Sequence, residues 1–300
     1  MKQYHDFLRH IINNGIRKED RTGTGTISAI VPPSMRFDLR EGFPIDTTKE
    51  INFELIKHEL KWFTNGDTNI CYLVQNGVNI WNKDAYRFYK EQGGELPYKE
   101  YIEKIKNDED FALVWGDLGP IYGYQWRRWG IEDWPHAVDQ LQEIVNNIND
   151  IKEGNHKAAR RLILSAWNAG DIGKMALPPC HVMVQFFVEE GRYLSCHLYQ
   201  RSGDAFLGIP FNISSYSLLT HIIAKETGLI AKEFIHTVGD AHIYLNHEDQ
   251  VYEQLLRTSY PQPQLAISKR IGNDLDGWMP EDYQLINYKH HPKIKGELSV

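Results

Sequence analysis

The chain is poor in cysteine. Only Cys71, Cys180 and Cys196 occur in 300 residues, an odd number without close spacing, which excludes a disulfide framework and a zinc knuckle. No HExxH motif or Cys/His cluster is present, so no metal site is expected. No apolar run reaches the length of a membrane span. The opening segment MKQYHDFLRH has no signal-peptide hydrophobic region. Together these absences predict a reducing, cytoplasmic location and no membrane partner. Basic residues are not in excess either. The formal net charge is -7, which argues against a generic nucleic-acid coat but leaves room for a local basic pocket. The Gly/Thr-rich turn DRTGTGT at 20–26 lacks the Lys-Ser/Thr ending of a P-loop. Internal repeats, low-complexity stretches and clear linkers are also missing.

What the chain does have is apolar and aromatic content. It is 42% hydrophobic, with 8 Trp, 16 Tyr and 12 Phe, enough for a sizeable core in one domain or two small ones. Helical spacing marks residues 1–14, where Tyr4, Phe7, Leu8, Ile11 and Ile12 recur. Further helices are predicted at 50–64, from 66, at 134–150, at 213–227 up to Gly228, and near 241–257. Short extended stretches fall within 26–40, and strands are predicted at 160–167, 181–190, 192–201, 233–238 and 264–270. Along 192–201, Leu194, Cys196 and Leu198 share one face, while Tyr193, Ser195, His197 and Tyr199 share the other. The polar stretch 84–112 reads as a surface insertion of short helices, and the tail from Pro292 shows no periodicity. Helix and strand alternate without a βαβ rhythm. The prediction is therefore a single α+β domain over residues 1–300, whose strands near 181–201 are apolar enough to pack against another subunit.

Several side chains are chemically suggestive. Cys180 follows Pro178-Pro179, which pin the backbone just ahead of a strand. It reads either as a small buried hydrophobe or as a nucleophile. His181 is adjacent, but neighbours in an extended segment point to opposite faces, which disfavours a Cys-His dyad. Arginines are available to stabilise a thiolate or to clamp a phosphate: Arg21, Arg160, Arg161 and Arg201, the last followed by Ser202. Glu59 lies on the apolar side of its helix, near Leu55, Trp62 and Phe63. Such a carboxylate is either a structural partner of an arginine or an acid/base group with a raised pKa. Asn212 precedes an apolar helix and reads as an N-cap or as an amide that recognises a pyrimidine edge. Asp204 is placed in the loop before it. His242 and Tyr244, two residues apart, suit a shared contact to a sugar hydroxyl.

These segments together resemble the thymidylate synthase family. The likeness runs in order through DRTGTGT (20–26), HELKWFTNGDTNI (58–70), GDLGPIYGYQWR (116–127), ARRLILSAWN (159–168), MALPPCH (175–181), LYQRSGDAFLGIPFN (198–212) and GDAHIYLNH (239–247). It implies a homodimer in which the mixed sheet packs against its partner and helices surround it. It implies that Cys180 attacks C6 of dUMP, with Glu59 and Tyr122 assisting proton transfer. Arg21, Arg201 and Ser202 would hold the phosphate, joined by Arg160 and Arg161 of the partner copy. Asn212 would read uracil, and His242 and Tyr244 the 3'-hydroxyl. Asp204, Trp81, Leu177, Lys49 and Ser299 would line the site of 5,10-methylenetetrahydrofolate, the one-carbon donor. No metal, flavin or nicotinamide is implied. Departures from the family's usual pattern fall on the folate side and the tail: Asn82, Asp84, Glu50 and the ending KIKGELSV. The alternatives are a dUMP hydroxymethylase on the same fold and, further off, a non-catalytic nucleotide- or RNA-binding protein. Binding of messenger RNA would be incidental to catalysis.

Overall fold

The computed structural model describes residues 1–130, 137–268 and 275–298. Chain order begins with α1 (Lys2–Asn14), whose periodic Tyr4, Phe7, Leu8 and Ile11 are all buried. A hairpin follows from β1 (Ile16–Lys18) to β2 (Thr26–Ile30). Its turn is tied by the Asp20 carboxylate, which accepts from the backbone N–H groups of Thr22 and Gly25. After β3 (Met35–Asp38) comes α2 (Phe53–Thr64), capped by the Asn52 side chain. Short helices then run through α3 (Cys71–Gln75), α4 (Asn82–Glu91), α5 (Tyr98–Asn107), α6 (Glu109–Trp115) and α7 (Tyr122–Arg127). Within 84–112, α4, α5 and α6 enclose an aromatic cluster in which Tyr89 and Tyr101 stack at 4.7 Å.

The second half carries most of the sheet. Helix α8 (Gln140–Lys152) leads to β4 (Ile163–Ser165), β5 (His181–Glu189), β6 (Tyr193–Asp204), α9 (Gly208–Glu226), β7 (Ile230–Tyr244) and α10 (Glu248–Leu256). A separate pair, β8 (Gln264–Ile267) and β9 (Tyr283–Ile286), closes the list. Among the described residues the main sheet runs β1-β2-β7-β6-β5-β4, with β3 also on β7. Strands β6 and β7 are parallel and the remaining pairs antiparallel, so the sheet is mixed. The expected single-domain α+β architecture is the one observed.

Leu194, Cys196 and Leu198 of β6 point into the core, under α9, as their alternation predicts. Side chains on other parts of the sheet remain exposed although apolar, notably Phe187 at 59% and Ile163 at 40%. An uncovered apolar sheet surface is costly in water and invites a second protein surface.

Several boundaries differ from the sequence reading. Residues 241–244, expected in a helical stretch, are the end of β7, because Ala241 and Ile243 pair with Ala29 and Ile27 of β2; the helix starts only at Glu248. Helix α9 begins at Gly208, ahead of the expected 213. Pro210 is tolerated there because the first-turn N–H groups have no intrahelical partner. Asn212 is thus inside the helix, and the N-cap reading is corrected. Helix α8 starts at Gln140, where Asp139 caps it; residues 134–136 of that expectation, and 269–270 of the expected strand, lie outside the described residues.

Candidate active site

The site is built around the short link between the loop after β4 and β5. Prolines 178 and 179 cannot donate hydrogen bonds, but their carbonyls accept from the Arg201 guanidinium, at 2.8 Å each. The Arg201 backbone N–H also donates to the Cys180 carbonyl at 2.9 Å. Arg201 comes from β6, so β6 locks the cysteine loop with one side chain. Burial pushes the Cys180 thiol above its ordinary value, the Arg201 cation pulls it back down, and Asp84 adds to the rise. More positive charge is needed to favour the thiolate fully.

Tyr122 opens α7 and is buried. Its phenolic oxygen accepts from the backbone N–H of Cys180 at 2.7 Å and of His181 at 3.3 Å. Both lone pairs are engaged, which leaves Tyr122 as a donor through its own O–H. Burial raises its pKa well above the ordinary value, so it keeps that proton near neutrality. The close approach of the loop before α7 is made possible at Gly119, where φ is +77° and an added Cβ would lie 2.1 Å from the Lys174 carbonyl oxygen.

Glu59, from α2, is buried and pairs with no arginine among the described residues. Its carboxylate accepts from the Trp81 indole N–H at 2.8 Å. Burial pushes it up to about 7, and the indole opposes the rise.

Parallel pairing of β6 and β7 places Ser202 beside Asp240 and Asp204 beside His242. Tyr244 pairs with Thr26 of β2. Arg21, Arg201, Ser202, Asp204, Asn212, His242 and Tyr244 line one cavity of about 590 Å³ with Cys180, Glu59, Tyr122, Trp81 and Leu177. Asp204, expected in a loop, ends β6, and its carboxylate accepts from the N–H groups of Phe206 and Leu207. A second cavity, of about 880 Å³, shares Glu59, Asp204 and Asn212 with the first. Its walls are partly apolar, from Ile80, Leu207, Phe211, Ile294 and Leu298.

Three expected site residues stand elsewhere. Arg160 and Arg161 are exposed and outside the shared cavities; Arg161 donates to the Lys157 carbonyl at 2.9 Å. Lys49 is buried, with its ammonium on the Phe206 carbonyl and 3.5 Å from the centre of the Phe206 ring. Ser299 lies outside the described residues.

Two further residues line the site, His181, which the sequence reading set aside as a base, and Asp240, which it missed. His181 is buried, and burial lowers its pKa to about 4, so it is neutral at pH 7. Asp240 is held well below the ordinary carboxyl range by His242 and Lys18. The signal was available: Asp240 and His242 are two apart on one strand and share a face. Among the described residues no cluster of three potential metal ligands exists, and no helix is long and apolar enough to cross a membrane.

A thiol fixed by an arginine, a buried carboxylate and two joined cavities form a setting for covalent chemistry on an anionic substrate beside a larger co-substrate. The family model for thymidylate synthase matches residues 2–300. The chain belongs to the thymidylate synthase family. It is 49% identical to the thymidylate synthase of Malacoplasma penetrans over 306 residues, covering all of both chains. Thymidylate synthases of Listeria monocytogenes and Listeria innocua are each 48% identical over 323 residues, again with full coverage of both chains. Against this family, the departures at Asn82 and Asp84 fall in α4, just after Trp81 of the cavity wall. Both are buried, and Asp84 is paired with Arg87 at 2.8 Å. Glu50, by contrast, is exposed.

Proposed function

We propose that the chain catalyses reductive methylation of dUMP to dTMP, with 5,10-methylenetetrahydrofolate as one-carbon donor and dihydrofolate as the second product. The observation that carries this reading is the single cavity in which Cys180, the cations Arg21 and Arg201, the amide of Asn212 and the pair His242/Tyr244 all take part. That set matches a nucleotide's reactive carbon, phosphate, base edge and sugar.

In this reading Cys180 adds to C6 of the uracil, a covalent step that makes C5 nucleophilic. Arg21, Arg201 and Ser202 bind the phosphate, Asn212 reads the base edge, and His242 with Tyr244 holds the 3'-hydroxyl. Arg160 and Arg161 of a second copy complete the phosphate site, and their added charge lowers the thiol pKa that burial raises in one copy. Glu59, poised near neutrality, handles protons around O4 and C5 through water. Tyr122, restricted to donation, orients the water that removes the C5 proton. The adjoining cavity suits a folate: apolar walls for its ring system, with Asp204 as the polar contact for the pterin and Trp81 and Leu177 at the junction. When bound, the folate supplies both the carbon unit and the hydride, so the reaction calls for no flavin or nicotinamide. The inward-facing Lys49 does not take part in binding in this arrangement.

Product analysis tests the reading. Incubation with dUMP and methylenetetrahydrofolate should give dTMP and dihydrofolate in equal amounts. If 5-hydroxymethyl-dUMP is the main product, without dihydrofolate, the chain is a hydroxymethylase instead.

A further inference from the structure

The C-terminal segment 293–298 lines the larger cavity, and its hold on the body of the protein is specific. Ile294 is buried. The Pro292 carbonyl accepts from Arg257 at 2.6 Å. The Glu297 carbonyl accepts from His247 Nε2 at 2.8 Å. A carbonyl can only accept, so Nε2 carries the proton. His247 is fully buried and its Nδ1 has no partner, which leaves the tail carbonyl as the ring's only polar contact among the described residues.

The surroundings of His247 connect it to both halves of the site. Its ring lies 6.0 Å from Tyr244, edge to face, and 5.1 Å from Phe206. Phe206 is fixed from below by the Lys49 ammonium and through its backbone N–H by Asp204. Gly296 rests on this platform. A Cβ there would come within 2.8 Å of the Phe206 ring and 3.0 Å of His247 Nε2. The absence of a side chain at 296 is what lets the tail lie close enough for the Glu297 carbonyl to reach the histidine.

We propose that His247 is a positioning residue for the reaction: its Nε2–H latches the Glu297 carbonyl and holds the tail down as the wall of the folate cavity. The latch rests on the function proposed above. It acts on the co-substrate side and on water exclusion, since the methylene carbon must meet hydride before it meets water. It contributes nothing to the thiol chemistry itself.

Two readouts test it in the full-length enzyme. First, His247→Ala should raise KM for methylenetetrahydrofolate roughly three- to tenfold, the range expected for one lost hydrogen bond. KM for dUMP should stay within about twofold, and 5-hydroxymethyl-dUMP should appear as a side product. His247→Gln, which retains a side-chain N–H donor, should recover most of the loss. Gly296→Val should mimic His247→Ala while leaving the histidine in place, which covers the case that the alanine variant does not fold. Second, trypsin cleavage after the exposed Lys295, read by intact mass without any ligand, should be faster in His247→Ala and near wild-type in His247→Gln. Equal cleavage rates and equal folate KM in wild type and His247→Ala overturn the latch. A wild type that makes no dTMP overturns the proposed function instead, and the proteolysis result still decides the latch.

Discussion

The Trp81 indole N–H donates to the Glu59 carboxylate across 2.8 Å, in a place where burial pushes the acid from 4.5 up to about 7. The folded protein therefore holds this proton over a pH range in which the unfolded chain has released it. Stability is lost as pH rises from about 4.5 through about 7, because the buried group must ionise. Glu59→Gln is neutral at every pH and still offers an oxygen to the indole. It should be more stable than wild type at pH 8, by at most ~3 kcal/mol for a shift of this size, and no more stable at pH 4. Its turnover should fall by roughly 10²-fold or more. Urea melts at the two pH values measure the difference, and a gain that is the same at both would show that Glu59 does not titrate as described.

Cys180→Ser should abolish turnover, because a neutral hydroxyl is a much weaker nucleophile than a thiolate. With 5-fluoro-dUMP and methylenetetrahydrofolate, intact-mass measurement should find a stable adduct on the wild type alone. An adduct that persists in the serine variant would assign the covalent bond to another residue.

Arg160 and Arg161 are exposed and absent from the cavity of their own chain. Mixing Cys180→Ala subunits with Arg160→Ala/Arg161→Ala subunits should restore activity, since one site of each mixed dimer then receives an intact cysteine and intact arginines. Each parent preparation should be inactive or nearly so. Mixed dimers that form, as shown by native mass, without any gain in activity would remove these arginines from the partner's site.

Asn212 lines the cavity, and its amide can both donate and accept. Asn212→Asp presents acceptors only, so it mismatches uracil O4 and suits the amino group of cytosine. The dCMP/dUMP preference should shift toward dCMP by roughly tenfold to a hundredfold, from a mismatch of about 1–3 kcal/mol. Steady-state kinetics with both nucleotides checks this, and an unchanged preference would mean that the base is read elsewhere.

Local chemistry was legible in the sequence. Alternation along β6 showed which side of the strand enters the core, and the double proline before Cys180 marked a fixed thiol. Long-range partners were not. Lys49 is expected to line the folate site, yet its ammonium sits on Phe206, a residue 157 positions away. Residues 241–244 look helical until β2 offers them a ladder, since pairing across the chain overrides local preference. Asn212 lies inside a helix because α9 starts at Gly208, and the first-turn Pro210 that permits this start reads in isolation as a breaker.

The parallel ladder of β6 on β7, with Ser202 opposite Asp240 and Asp204 opposite His242, also restricts how the gene can vary. Side chains change face with every residue of a strand. Inserting or deleting one codon inside 230–241 would leave the sheet able to form, but would turn His242 and Tyr244 away from the cavity or force the rest of β7 out of register. Point substitutions can be absorbed along this stretch far more readily than changes of length, and random single-codon indels scored for growth without thymidine should leave a gap here.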